Sequence, residues 1–374
     1  MLDPARQGTP FPFEGPIPPE LLIDRQGELD LLARRAGDRV SVRLVAPRRY
    51  GKTSVLLAHA RRLRETGWRT AHVDFSRVAD LTDVARRFAT AYAELDLGWT
   101  RAHLAAPLAR LGVTLTPAGP GVSMAMRPPA SDPLTAELVL DRVLDLPLRL
   151  WEADRTPTLV VFDEFQDLLT ARENLDGLLR SRIQYHGDAA AYVYAGSEPS
   201  MMRELFDVRE RPLFGQADPL ELGPLPVDEV LADLAQRFAD ERQDPGEALT
   251  ELVVFAGGHP QRTMLLCYLL SDRIADGEQP TPALAAQIID DAIDRTRPAH
   301  QALWGQLGRS ERIVLAAVAD GQGPTSRALA AEHNLSRATL DAAAERLSDQ
   351  GHVIRRPRGT RLVDPLLAEW LRRR

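Results

Sequence analysis

The chain has 374 residues, 44% of them hydrophobic and 26% charged, and a net charge of −7; it is long enough for two or three domains with a sizeable core, and too acidic overall for a general polyanion binder, a local basic patch aside. One cysteine, Cys267 in the run M-L-L-C-Y-L-L, excludes an intramolecular disulfide framework and a multi-cysteine metal site and reads as buried filler. No apolar stretch nears the roughly 18 residues of a membrane span and the N-terminus lacks a signal-peptide pattern, so the expectation is a cytoplasmic protein without a membrane partner.

Residues 1–20 contain several prolines and read as an extended arm. An α/β core is expected over 21–225. Within it, V-S-V-R-L-V (Val40 to Val45) alternates like a strand, A-P-R-R-Y-G-K-T-S follows at 46–54, and V-L-L-A-H-A-R-R-L then carries apolar residues at helical spacing. Strand, glycine-containing loop and helix is the context of a phosphate-binding P-loop. Backbone N–H groups at such a helix start face the phosphates, helped by the helix dipole. Gly51 permits close backbone approach, and the compact Lys52 ammonium suits the β- and γ-phosphates where a planar guanidinium would not. Thr53 offers a hydroxyl to Mg²⁺. Pro47, Arg48, Arg49, Tyr50, Gly51, Lys52, Thr53 and Ser54 are therefore the expected nucleotide-binding residues. Two features stand out: Ala46 occupies the place of the motif's first glycine, and Lys52 is the single lysine among 46 basic residues.

A strand is expected around His72 to Phe75. Gly112 to Asp132, rich in Pro, Gly and Ser, contains two alternating runs and reads either as a hairpin insertion or as a mobile linker. T-L-V-V-F-D-E-F-Q-D-L (158–168) holds an apolar run of the parallel-strand kind. It ends in Asp163, the expected Mg²⁺-side carboxylate, and Glu164, the expected catalytic base that orients the attacking water. The strand A-Y-V-Y-A-G-S (Ala191 to Ser197) is expected beside the loop strand. Ser197 is then either a catalytic contact to the γ-phosphate or water, or an ordinary strand-ending serine. A fifth strand near Leu220 to Leu222 completes a parallel sheet.

Residues 226–300 read as helices forming a lid, and 301–374 as a separate winged-helix domain. From Leu303 onward there are 12 Arg against 8 acidic residues, so this segment carries +4 in a chain of −7. Three helices, with N-L-S-R as the turn before the last and Ser336 as its N-cap, precede the hairpin H-V-I-R-R-P-R-G-T-R-L-V. Arg355, Arg356, Arg358 and Arg361 on that wing, with Arg337 on the third helix, are the residues that DNA phosphates would meet. The acidic Asp341, Glu345 and Asp349 weaken the major-groove reading, so DNA contact and a packing or protein-contact role both stand.

With these motifs in place, the sequence resembles an archaeal-type P-loop ATPase of the AAA-like, signal-transducing STAND branch with a C-terminal winged helix. The matching pieces are I-D-R-Q-G-E-L-D-L-L (Ile23 to Leu32), P-R-R-Y-G-K-T-S, V-F-D-E-F-Q, A-G-S-E-P-S-M-M and A-G-G-H-P (Ala256 to Pro260). The resemblance implies that Asp24 and Arg25 lie near the adenine, and that the turn carrying His259 and Pro260 comes from the lid to cover base or ribose. Alternatively, Asp24 caps a helix, Arg25 is solvated and the glycine turn only breaks a helix. Members usually carry Gly-Arg where this chain has Gly215-Gln216, an arginine that acts as a finger worth about 10³–10⁵ in rate; Arg209 or Arg211 would have to substitute, or hydrolysis is slow. The resulting expectation is an ATP/ADP-binding, Mg²⁺-dependent ATPase acting as a regulatory switch, with oligomers and a protein partner open. The alternative is a nucleotide-dependent DNA-binding or scaffold protein with incidental hydrolysis.

Overall fold

The computed structural model describes residues 9–111, 113–118, 121–126, 133–171, 174–356 and 359–374. The backbone divides into two compact units, one of residues 26–45 and 55–221, the other of 1–25, 46–54 and 222–374.

The first unit is built on a parallel sheet. Its strands are β1 (Val42–Val45), β2 (Arg69–Asp74), β5 (Thr158–Asp163), β6 (Ala190–Gly196) and β7 (Asp218–Glu221), with β3 (Val113–Ala118) and β4 (Gly121–Met126) set apart as an antiparallel pair. The sheet order is β2-β5-β6-β1-β7, with every neighbour parallel. β5 and β6 are buried at every position, which is why both read as unbroken apolar runs. Aromatic residues fill one face: Phe162 lies 5.7 Å from Phe165 and 5.5 Å from Tyr194, and Phe165 lies 4.8 Å from Tyr194. The helix Leu81–Ala93, capped by Asp80, buries most of its length against this cluster. β2 begins three residues earlier than its apolar stretch suggests. The extra residues pair with β5, Arg69 opposite Thr158, and the Arg69 guanidinium also pairs with Asp154 through both Nη atoms.

The second unit carries the helices Val227–Asp240, Gly246–Ala256 and Pro260–Ala275, and the 25-residue helix Pro282–Gln306. That last helix runs through residue 300, so the expected division between lid and C-terminal segment falls inside one helix. Then come helices Arg309–Ala319, Arg327–His333 and Arg337–Asp349, the hairpin of β8 (Val353–Arg356) and β9 (Gly359–Leu362), and helix Pro365–Arg372. This is the element order of a winged helix-turn-helix. Ser336 caps its helix by accepting from Thr339 N–H at 3.0 Å.

The described part of the N-terminal arm is anchored rather than loose. Phe11 is fully buried 4.5 Å from Phe238, and Arg237 donates to the carbonyls of Pro10 and Leu21.

Candidate functional site

The loop 46–51 leaves β1 and ends where the helix Lys52–Glu65 begins. A turn forms at its centre: Tyr50 N–H donates to the Pro47 carbonyl at 3.2 Å, and Arg49 takes a left-handed φ of 68°. Gly51 has φ +82°, a conformation an L side chain rarely adopts. Lys52 is therefore set at the first turn of a 14-residue helix, and it is 6% exposed. Arg48 and Arg49 are exposed, while Tyr50 and Ser54 are buried. The Ser54 hydroxyl accepts from Ile17 N–H at 3.0 Å, tying the arm to the loop's helix.

Inside the same compact unit the loop meets the turn before the helix Pro260–Ala275. The Tyr50 and His259 rings lie 4.9 Å apart, edge to face. His259 caps the helix that starts at Pro260, with Nδ1 accepting from Arg262 N–H at 3.3 Å. Burial pulls the His259 imidazole down to about 4, so it is neutral near neutral pH. The turn before it needs glycine: Gly258 has φ +77°, and a Cβ there would lie 2.2 Å from the Leu225 carbonyl oxygen. Arg25 is 5% exposed and donates to the Gly223 carbonyl at 2.7 Å. It is thus not the solvated arginine of the alternative reading. Asp24 takes a left-handed φ of 35° and shares a hydrogen bond with Glu229, which pulls that carboxyl above its usual range.

The acidic residues belong to the other unit, at the C-terminal ends of its strands. Asp163 closes β5, 4% exposed. Its Oδ1 accepts from Glu164 N–H at 2.9 Å, and its Oδ2 lies 3.6 Å from His72 Nε2 on β2. Glu164 adopts a left-handed φ of 47°, a conformation that costs a non-glycine residue on the order of 1–3 kcal/mol. One of its oxygens, Oε2, accepts from Ser197 Oγ at 2.7 Å, Ser197 N–H at 3.3 Å and Gln166 Nε2 at 2.6 Å. Ser197 follows β6, the strand between β5 and β1, so here its hydroxyl holds Glu164. Thr53 offers a hydroxyl and Asp163 a carboxylate, both oxygen donors of the kind Mg²⁺ takes. No cluster of three or more His, Cys, Asp or Glu suited to a metal occurs among the described residues.

Sequence reasoning did not single out Gln166, His72, Arg262, Asp364 or His300. Gln166 stood inside V-F-D-E-F-Q, two residues from the Glu164 carboxylate it contacts. Arg262 stood one helical turn from His259, a spacing that puts both on one face. Arg262 is 2% exposed; its guanidinium grips Asp364 through Nε at 3.0 Å and through Nη2, while His300 Nε2 lies 3.6 Å from the same carboxylate. Burial opposes ionisation of Asp364, but His300 and Arg262 outweigh it and hold the carboxyl far below the usual range. Asp364→Ala is expected to cost about 3–5 kcal/mol in chemical denaturation, because Arg262 is left buried and uncompensated. A carboxyl with a depressed folded-state pKa stabilises above its unfolded value, about 4, and that stability drains as pH falls below it. Unfolding midpoints measured between pH 5 and 2 should therefore drop more steeply in the native chain than in Asp364→Asn.

Around the missing Gly-Arg, Gln216 is exposed and donates to the Phe214 carbonyl at 3.3 Å. Arg211 is paired with Glu204, and Arg209 is exposed. On the wing, Arg355 is paired with Asp341 at 2.8 Å, and Arg337 Nε donates to the Thr325 carbonyl at 3.1 Å. Arg361 is partly buried. Arg358 and the Arg356 side chain lie outside the described residues. No described helix is long and apolar enough to cross a membrane.

No family model matches the chain, and no curated protein matches it. Among solved structures it is similar to a Walker-type ATPase of Pyrococcus abyssi, with a TM-score of 0.70 and 18% identity over 97% of this chain and 100% of that one. It is also similar to the ORC2 protein of Aeropyrum pernix in ADPNP–ADP complexes, with a TM-score of 0.61 and 17% identity over 97% and 96% of the two chains. The fold is that of the P-loop ATPases. Both likenesses cover nearly all of each chain.

Proposed function

We propose that the protein is an ATP-binding, Mg²⁺-dependent ATPase that works as a regulatory switch, its nucleotide state being passed to the C-terminal winged helix. The loop amides and Lys52 hold the phosphates, and Thr53 and Asp163 supply oxygen ligands to the metal. Bound Mg²⁺ would neutralise charge on the β- and γ-oxygens. Glu164 takes the proton of the attacking water as the bond from the γ-phosphorus to the β,γ-bridging oxygen breaks. Ser197 and Gln166 orient Glu164. Asp24, Arg25, His259 and Pro260 are assigned to the nucleoside end.

The observation that carries the switch is a run of contacts inside one compact unit. Tyr50 of the loop meets His259, His259 caps the helix bearing Arg262, and Arg262 grips Asp364 at the end of the wing. These neighbouring side chains offer the path by which a change at the loop would reach the C-terminal segment. DNA contact has less support, since Arg355 and Arg337 already have protein partners.

The test pairs phosphate release, with Mg²⁺ or with excess EDTA, with hydrogen exchange over residues 350–372, with and without ATP. Mg²⁺-dependent turnover and altered exchange in that segment are expected. ATP binding with unchanged exchange there removes the switch, and absence of ATP binding removes the whole reading.

A further inference from the structure

The 25-residue helix Pro282–Gln306 belongs to two cores in turn. Its first part is buried, through Ile288, Ala292 and Ile293, in the apolar cluster of the helices Val227–Asp240, Gly246–Ala256 and Pro260–Ala275. Near its other end, Leu303 and Trp304 pack against a different cluster, built on the helices Arg309–Ala319 and Arg337–Asp349. Pro298 stands midway between Ile293 and Leu303, and from Asp294 to Ala299 no residue is buried. Helices in proteins owe most of their stability to packing, so this stretch has little to hold it straight.

Two features weaken the helix at the same place. Pro298 lies inside it, has no N–H for the Asp294 carbonyl and crowds that carbonyl with its ring, so the main-chain ladder loses a rung. Just before it, the Thr296 hydroxyl donates to the carbonyls of Ala292 at 2.8 Å and Ile293 at 3.3 Å. Back-bonding of this kind competes with the ladder and bends helices. A proline and a side chain inserted into the ladder are both established causes of a kink.

The last helix fastens the two cores together across this stretch. Pro365–Arg372 straddles them, with Leu366 in the first and Leu367 and Leu371 in the second. Asp364, its N-cap, is held by Arg262 of the first group, with Nε at 3.0 Å. Arg373, just beyond it, pairs with Asp290, which lies upstream of the proline.

We propose that Pro298 is a hinge in this helix and that the Asp364–Arg262 pair is the catch that keeps it closed. Releasing the catch lets the helices and hairpin beyond residue 299 turn as one body, taking the helix Pro365–Arg372 with them because two of its leucines belong to their core. The hinge would give the proposed switch its moving part, but it is a property of these residues and stands or falls without the nucleotide reading.

Double electron–electron resonance on the full chain tests this, with nitroxide labels at Glu251→Cys and Glu345→Cys, both exposed and one on each side of the hinge. Cys267 is fully buried and its thiol is pushed up to about 12, so it does not compete for the label. With the catch intact, one narrow distance is expected. Asp364→Asn should add a second, displaced population, and Pro298→Ala in the Asp364→Asn chain should shrink that population at least fivefold, because the restored N–H closes the ladder on Asp294. Hydrogen exchange on the native chain is a second readout that needs no variant. Amides over 295–301 should exchange at least tenfold faster than those over 286–293, and Pro298→Ala should slow them. ATP is left out of every arm, so failure of the nucleotide reading does not touch the result. The hinge is overturned if Asp364→Asn keeps the single native distance, if Pro298→Ala leaves the second population as large, or if the amides flanking Pro298 exchange no faster than those upstream.

Discussion

Lys52→Ala is expected to weaken ATP binding by about 30- to 4,000-fold, read by titration with a fluorescent ATP analogue. Truncating one partner of a desolvated, hydrogen-bonded charge pair costs about 2–5 kcal/mol, and each 1.4 kcal/mol is tenfold. Lys52 meets the conditions for the upper part of that range. It is 6% exposed and sits at the start of a 14-residue helix, where the dipole already favours an anion. Lys52→Arg is the sharper control. It keeps the charge but brings a planar, bulkier head group, so it should recover little of the loss. Equal affinity of the arginine variant and the native chain would mean that the loop reads charge alone, and the P-loop assignment would fail.

Glu164→Gln should separate binding from chemistry. The amide keeps the size of the side chain but accepts no proton from water, so turnover should fall by about 10²–10⁴-fold while ATP affinity stays within a few-fold. Phosphate release under single-turnover conditions is the measurement, and a variant that hydrolyses at the native rate would remove Glu164 from the mechanism. The surroundings predict a graded companion effect. Ser197 and Gln166 donate to the same oxygen of Glu164, so Ser197→Ala loosens the base without removing it and should cost less than Glu164→Gln.

The sheet was legible because its strands carry their own signal. β5 and β6 are buried on both faces and read as unbroken apolar runs, and β6 lies beside the loop strand, as expected for a sheet of this kind. Ser336 was legible as a cap because capping is local, one side chain reaching a backbone group three residues on. What escaped the sequence is what lies far apart along it. Arg262 and Asp364 are 102 positions apart, and each looks ordinary alone: an arginine one turn into a helix, and an aspartate before a helix-starting proline. The extension of β2 comes from pairing with β5, with Arg69 opposite Thr158, which no local window contains. The fate of Ser197 was also out of reach, because the hydroxyl's choice of Glu164 follows from strand order and not from neighbours in the chain.

The single lysine has a consequence for labelling chemistry. Apart from the chain's amino terminus, the protein offers one primary amine, the Nζ group of Lys52, a residue that is 6% exposed. An amine-directed acylating reagent therefore has one side-chain target, at the loop assigned to phosphate. Any enzymatic acetylation or ubiquitination of a lysine in this chain would likewise fall on that side chain, whose charge the modification would remove.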